Sequence, residues 1–260
     1  GAKGGFSGGT IASLLNVLVE AESSLQVAQQ LQDPYSLCPA GHGFHAIQPE
    51  VRGAAMHRAS GLWSMPFVMA PINTRVVHKT NALRHGEYGQ QFLYDEAVLT
   101  GPGTIGKWVT AMAAGGFALF LKLLARPSGR AFMQRHLLPK PGEGPSQAEQ
   151  QQGFFDLHFY GYNADGLCLA VRVAGDQDPG YGSTSRMLAE TALCLAQELV
   201  MRPPERIPTS KSTVRNKPDQ DVSETAPGGF WTTASLFDER LLMRLREHAG
   251  MTFEELPIRQ

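Results

Sequence analysis

Two glycine-rich turns carry the groups best suited to holding a charged ligand. The first covers residues 4–10 (GGFSGGT) and the second residues 180–184 (GYGST), and each precedes a segment with helical apolar spacing. Backbone N–H groups at a helix N-terminus bind anions, so a carboxylate, thioester or phosphate could dock at either turn. The alternative explanation is a tight connection between a strand and a helix, in which glycine lets the backbone pack closely. The residues concerned are Ser7, Gly8, Gly9 and Thr10 in the first turn, and Tyr181, Ser183 and Thr184 in the second.

Residues 101–108 (GPGTIGKW) approach the spacing of a phosphate-binding P-loop and lie between a strand-like and a helix-like segment. Trp108 stands where that loop needs a Ser or Thr hydroxyl to hold Mg²⁺, so phosphotransfer is rejected. We expect no Gly-x-Gly-x-x-Gly turn anywhere in the chain, since the glycines within residues 4–9 fall at offsets that do not fit this dinucleotide-binding fingerprint. We therefore expect no nucleotide-binding segment in this chain. If the family resemblance given below holds, the chain alone should bind no cofactor and should not catalyse.

Other chemistry-bearing residues are sparse. Cys38, His42 and His45 are zinc-ligand types within eight residues, but a fourth ligand is not apparent, so we predict no metal. Three widely spaced cysteines without a Cys-x-x-Cys pair indicate a reducing compartment with buried thiols. Ser7 is interpreted as the N-cap of the following helix rather than as a nucleophile.

Composition and charge limit the class of protein. The chain is 42% hydrophobic and 18% charged, which is typical of a globular protein, and its net charge of −1 does not indicate nucleic-acid binding. The uncharged run 108–121 is about 14 residues long, shorter than the roughly 20 that a membrane span needs. It predicts a buried or partly buried helix. The alternative is an interfacial helix beside anionic headgroups, favoured by the basic residues Lys122, Arg126, Arg130 and Arg135.

The periodicity predicts mixed α and β structure around these motifs. We expect helices over 7–32, 106–125 with an amphipathic extension to 138, the segment after 180–184, and 241–248, the last ending at Gly250. We expect strands over 51–57, 73–79, 91–99, a hairpin over 155–173, and short strands at 230–234 and 251–256. The polar segment 202–227 is predicted to be a surface loop or linker. It separates a substrate-binding and dimerisation domain (1–201) from a strand–helix–strand unit (228–260) that returns to the body of the protein.

Several stretches together resemble one family. They are GGFSGGT at 4–10, NTRVV at 73–77, LPKPGEGPS at 138–146, Gly180-Tyr181 with Thr184, and the ending from Gly228 through Phe253. In this order they resemble the C-terminal portion of the saccharopine dehydrogenase-like oxidoreductases, most closely the bacterial trans-acting enoyl reductase type. The resemblance implies an α+β fold, the C-terminal domain of an α/β-type oxidoreductase, with a mixed, largely antiparallel sheet and helices on one side.

The resemblance also implies a function. NAD or NADP would be bound by a Rossmann domain absent from this chain, and hydride would pass to a carbonyl- or enoyl-type substrate, which could be a lipid. Asn73, Arg75, Tyr181 and Thr184 match the family pattern as substrate-binding residues; Arg75 could bind a carboxylate or phosphate, and Tyr181 could donate a proton or a hydrogen bond. The expected assembly is a homodimer in the cytoplasm, with peripheral membrane contact through 106–125 as an open alternative. The second interpretation of the chain is a cofactor-free lipid- or protein-interaction module derived from that fold.

Overall fold

The computed structural model describes residues 2–3, 8–140, 142–201 and 229–257. Ser7 and the predicted surface loop 202–227 lie outside the described residues. The helices are α1 Gly8–Ser23, α2 Leu25–Gln32, α3 Ala70–Leu83, α4 Gly103–Leu124, α5 Pro127–His136, α6 Gln147–Gln151, α7 Gly182–Met201, α8 Thr233–Leu236 and α9 Asp238–His248. The strands are β1 Ala2–Lys3, β2 Ala55–His57, β3 Leu62–Pro66, β4 Ala97–Pro102, β5 Phe154–Asn163, β6 Gly166–Gly175 and β7 Met251–Glu255.

An antiparallel four-stranded sheet has the order β1-β5-β6-β7. Its centre is the β5–β6 hairpin, which confirms the hairpin predicted from alternating apolar residues. Side chains alternate between the faces of a strand, so Phe155, Leu157 and Phe159 share one face. Phe155 is buried on this face in a core cluster with Leu241 and Leu245 of α9. Helices α7 and α9, which pack against each other, therefore cover the end of the sheet near Phe155.

The chain after residue 229 ends in a helix and a strand, as predicted. Helix α9 buries Leu241 and Leu245 and is followed by Gly250, whose φ of 66° is the left-handed conformation that ends many helices. A Cβ atom at Gly250 would also meet the carboxylate of Asp176, an exposed side chain that can move, so the left-handed φ is the reason that favours glycine there. Strand β7 then pairs with β6, with Met251 opposite Gly175.

A second antiparallel sheet has the order β2-β3-β4 and carries α4 on its surface. Helix α4 packs against β3 and β4, and its C-terminal half joins a second core cluster around Leu15, Leu124 and Met133. Arg130 of α5 donates hydrogen bonds of 2.6 and 2.8 Å to the carboxylate of Glu22, which links α5 to α1. The predicted α+β fold class is confirmed, and the strands are divided between two antiparallel sheets.

Helix α4 is longer than the uncharged run that predicted it. It has 22 residues, so by length and composition it could cross a membrane, the one such helix within the described ranges. Only 11% of its most apolar window is buried. The expectation of a run too short to span was therefore wrong about length, because the helix also includes the flanking residues 103–107 and 122–124.

The predicted strand 73–79 is wrong, because these residues lie inside α3. Pro71 occupies the first turn of this helix, a position that suits proline, and the β-branched pair Val76-Val77 is accommodated within it. The buried side of α3 is polar, with Arg75, His78 and Asn81, so the helix lacks the apolar stripe that would have revealed it.

The predicted strand 230–234 is also wrong. The short helix α8 starts there, fixed by a capping box in which the Thr232 and Ser235 side chains each bond to the other residue's backbone N–H. The predicted helix 7–32 is two helices, because the Ser24 hydroxyl accepts from the backbone N–H of Val27 and caps a new one.

One predicted strand is shifted along the chain and another is shorter than predicted. The segment predicted over 91–99 forms its strand at Ala97–Pro102, and the one predicted over 51–57 at Ala55–His57.

Candidate functional site

An open cleft of about 690 Å³ lies beside α3, a size typical of small-molecule sites. We name it the α3 cleft. Its walls come from the end of α2, the irregular segment 33–50, the first turns of α3 and Tyr94. Apolar and polar side chains both line it, including Leu31, Tyr35, His42, Phe44, His45, Ile47, Gln48, Thr74, Arg75 and Tyr94.

Aromatic rings pack along one wall of the α3 cleft. The Tyr35 ring lies 5.9 Å from that of Phe44 and 4.9 Å from that of His78, measured between ring centroids. The Tyr35 hydroxyl donates to the carbonyl of Ala46 at 2.8 Å and accepts from Nε2 of Gln48 at 2.5 Å. These hydrogen bonds fix a segment that has no helix or strand of its own, so the wall is held by side chains.

Tyr94, Glu96 and Asn73 form a hydrogen-bonded group at the edge of the α3 cleft. The Tyr94 hydroxyl donates to Oε1 of Glu96 at 2.9 Å, and Nδ2 of Asn73 donates to Oε2 of the same carboxylate at 2.8 Å. Burial, reinforced by the Glu96 carboxylate, raises the pKa of the Tyr94 phenol. Tyr94 therefore stays protonated at neutral pH, and the lone pairs of its oxygen can accept a hydrogen bond from a ligand.

Arg75 reaches the α3 cleft, but its guanidinium is bound to the protein itself. Nε donates to the Asp33 carbonyl at 3.1 Å and to the Ser36 hydroxyl at 3.2 Å, and the other two nitrogens donate to carbonyls of Pro71 and Leu31. Burial lowers its pKa. In this structure, Arg75 ties the end of α2 to α3 and shapes the cleft wall, and its side chain is not presented as a two-pronged anion clamp.

The backbone N–H groups of the turn at 180–184 are also hydrogen-bonded within the protein. The side chain of Asp178 is fully buried, and its carboxylate accepts from the backbone N–H groups of Gly180, Tyr181 and Gly182 at 3.0, 2.9 and 2.7 Å. The N–H groups that could have bound an external anion thus hold a carboxylate of the same chain. Thr184 donates its hydroxyl to the Pro179 carbonyl at 2.5 Å, and Tyr181 is 40% exposed with its ring beside Gly144.

The first turn is described only from Gly8 onward. Gly8 is buried and donates its N–H to the carbonyl of Glu143 at 2.9 Å, and Gly9 is exposed. Ser7 lies outside the described residues, and only the backbone of Thr10 is described. The anion site predicted at this turn stays a prediction.

The four predicted substrate-binding residues lie in two places. Asn73 and Arg75 are on α3 beside the cleft, whereas Tyr181 and Thr184 are at the start of α7, next to the segment 142–146. No hydrogen bond among the described residues joins the two pairs, and α3 and α7 share no substantial packing there. Their role in substrate binding stays a prediction.

No group of three metal-ligating side chains is found among the residues that the structure describes. His42 instead accepts a hydrogen bond from the backbone N–H of Phe44 at 3.0 Å through its Nδ1 atom. Burial raises the pKa of the Cys38 thiol to about 11, which keeps the sulfur protonated and a poor metal ligand.

A dinucleotide-binding spacing is present in the sequence, contrary to the expectation that the chain has no such fingerprint. Residues 101–106 (GPGTIG) fit Gly-x-Gly-x-x-Gly, end strand β4 and open α4, with φ of 66° at Gly103. A Cβ at Gly106 would overlap the backbone of Gly101, so this glycine allows the helix to pack closely on the strand. The surroundings do not fit a dinucleotide, because β4 is antiparallel to its neighbour and α4 leads to α5 instead of a parallel strand.

A second spacing that the motif predictions missed is Gly-x-Ser-x-Gly at residues 5–9 (GFSGG), which matches a nucleophile elbow. Its Ser7 lies outside the described residues. The cleft residues Tyr35 and Tyr94 were missed because no local spacing marks them. Asp178 had a usable signal, since Asp-Pro-Gly directly before a helical pattern is typical of a turn with a side-chain cap.

The structure is that of an α+β protein with an open cleft that has an aromatic wall. A Mycobacterium tuberculosis protein, named provisionally as a trans-acting enoyl reductase, is 37% identical over 207 residues, which are 75% of this chain and 48% of that protein. Trans-acting enoyl reductases of Mycobacterium ulcerans and Mycobacterium bovis are 32% and 31% identical, each over 73% of this chain and 47% of their own length. The chain is a homologue of these proteins, and the relationship supports the trans-acting enoyl reductases as its family.

The chain spans about half the length of the curated relatives that it matches. No family model matches the sequence. No solved structure matches it.

Proposed function

We propose that the chain is the substrate-binding and dimerisation part of a saccharopine dehydrogenase-like, NAD(P)-dependent enoyl reductase of the cytoplasm. The observation that carries this proposal is the similarity to trans-acting enoyl reductases over three quarters of the chain. The α3 cleft supports it, because its volume and its mixture of aromatic and hydrogen-bonding side chains suit an acyl chain with a polar thioester end.

The nicotinamide would be held by a part of the full-length protein that this chain does not include, since the one dinucleotide-like spacing here has the wrong surroundings. A reduced nicotinamide supplies a hydride to the β-carbon of an enoyl group, while an acid protonates the α-carbon and a saturated acyl group results. This chain's own contribution would be to bind and orient the acyl group. In the α3 cleft, Tyr94 would accept a hydrogen bond from an amide N–H of the group that carries the thioester, because the enoyl thioester itself has only acceptors and the Tyr94 proton is donated to Glu96.

The first experiment measures NADH and NADPH binding by calorimetry, on this chain and on a longer protein that includes the upstream coding sequence. Binding by the longer protein alone is the expected result. Binding by neither would contradict the oxidoreductase proposal and favour the cofactor-free interaction module.

Matched tyrosine variants of the longer protein then locate the substrate site. Tyr94→Phe should raise the KM for a short enoyl thioester roughly fivefold, because a hydrogen bond in the cleft is worth about 1 kcal/mol. Tyr181→Phe tests the turn at α7 by the same chemical change, and Tyr162→Phe, at an exposed position of β5, is the control. A KM that changes for Tyr181→Phe and not for Tyr94→Phe would move the substrate site from the α3 cleft to the α7 turn.

A further inference from the structure

Helix α4 presents an apolar face that no described residue covers. Trp108, Met112 and Leu119 are 66%, 76% and 58% exposed, and their spacing of four and seven residues places them on one side of the helix. We name these three side chains the outward face of α4. Exposed apolar patches of this kind mark an interaction surface more often than single exposed residues do.

The opposite side of α4 packs against the rest of the protein. Gly106, Thr110 and Leu124 are buried, the first of them against β4 and the last in the second core cluster. The Thr110 hydroxyl donates to the Gly106 carbonyl at 2.6 Å and shares a hydrogen bond with Thr100 of β4. Because one side of the helix packs on β3 and β4, α4 lies along the surface of the second sheet.

Charge is segregated around this helix. Residues 97–142 contain six basic side chains and no Asp or Glu, although the whole chain carries a net charge of −1. Arg130 is bound to Glu22, and it is the only one of the six with a carboxylate partner among the residues described. Lys122 lies in the last turn of α4, and the other basic residues are Lys107, Arg126, Arg135 and Lys140.

We propose that the outward face of α4 docks in the interface of an anionic lipid bilayer, with Lys122 and Arg126 against the headgroups. An apolar face with a tryptophan, next to basic residues, is the combination that holds a helix in the plane of a membrane surface. The uniform positive charge favours this partner over a second copy of the chain, because two copies would bring the same basic surfaces together. The proposal does not depend on the enzymatic function proposed above.

Vesicle sedimentation tests the proposal with the purified chain. We expect it to bind vesicles of phosphatidylcholine with about a third phosphatidylglycerol, to bind pure phosphatidylcholine vesicles much less, and to be released by salt as screening shortens the range of attraction. The triple variant Trp108→Ser, Met112→Ser, Leu119→Ser should reduce partitioning at least about tenfold, because each side chain loses its apolar area in the membrane.

A matched triple variant controls for the general loss of exposed apolar surface. Leu25, Leu188 and Phe230 are 85%, 67% and 90% exposed and lie away from α4, so replacing all three with serine should leave partitioning unchanged. Circular dichroism checks that both variants are folded. Equal loss in the two triple variants, or no preference for anionic vesicles, overturns the proposal. So does a dimer that only the α4 variant abolishes, because the face would then bind a second copy.

Discussion

His78 is enclosed by the rings of Tyr35 and Phe92 and is only 1% exposed. Its Nε2 atom has no hydrogen-bond partner among the described residues, so a positive charge there would be poorly compensated. Burial accordingly lowers the pKa of His78. The residue therefore acts in the neutral form, as part of the aromatic packing behind the α3 cleft.

This burial makes stability depend on pH. Below the usual histidine pKa of about 6.5, the unfolded chain takes up a proton at His78 that the folded chain does not, so unfolding becomes easier as the pH falls. The urea midpoint of the parent protein should decrease between pH 7.5 and about pH 5.5, and His78→Phe should show a flatter pH dependence. His136→Gln, at an exposed position of α5, is the control and should keep the parental slope. If the urea midpoint of His78→Phe changed with pH as much as that of the parent protein, the pH dependence would not come from His78.

At the scale of elements, the glycines of α4 have opposite roles. Gly106 is packed so tightly against Gly101 that a methyl group would overlap backbone atoms, whereas nothing lies within 4 Å of the position that a Cβ would take at Gly116. Gly106→Ala should lower the free energy of unfolding by about 2 kcal/mol or more, because the strand and helix must separate. Gly116→Ala should raise it by up to about 1 kcal/mol, since alanine favours the helix. Urea titration of both variants gives the comparison, and destabilisation by Gly116→Ala would mean that a partner already packs there.

The elements differ in how far the sequence predicts them. The β5–β6 hairpin and helices α7 and α9 follow from apolar spacing, because each buries an apolar side against a core. Helix α4 follows from its uncharged run, although only 11% of its most apolar window is buried. Helix α3 does not, since its buried positions are Arg75, His78 and Asn81, which bind through carbonyls and rings supplied by distant segments.

The candidate site was predicted less well than the fold for a related physical reason. The walls of the α3 cleft meet through contacts such as the one between Gln48 and the Phe92 carbonyl, 44 residues apart. The irregular segment 33–50 has no periodicity to mark its position. The family resemblance selected Asn73 and Arg75, which lie beside this cleft, but it could not show that the hydrogen bonds of Arg75 are made within the protein.

At the scale of the whole molecule, the four-stranded sheet is only partly covered. Leu157, Phe159 and Leu169 lie on the face that packs against α7 and α9, yet they are 45%, 41% and 44% exposed because they extend past these helices. We propose this surface as the dimer contact, since exposed apolar patches of this kind commonly form interfaces between subunits.

Sedimentation equilibrium tests the dimer contact. Leu157→Glu combined with Leu169→Glu should weaken self-association at least about tenfold, because two carboxylates would be buried without partners. Phe154→Glu changes a side chain of the same strand with the same 45% exposure on the opposite face, so it should leave the dissociation constant unchanged. A parent protein that stays monomeric at high concentration would remove the proposal altogether.

The carboxylate of Asp178 has a consequence for what this molecule can recognise. Because it is attached to the chain a few residues from the amides that it occupies, it competes with any dissolved anion at a very high effective concentration. A free phosphate or carboxylate would have to displace the Asp178 carboxylate, which is part of the chain and cannot diffuse away. The start of α7 therefore disfavours anions, and a ligand with a negatively charged group would be recognised through its uncharged part or bind that group elsewhere.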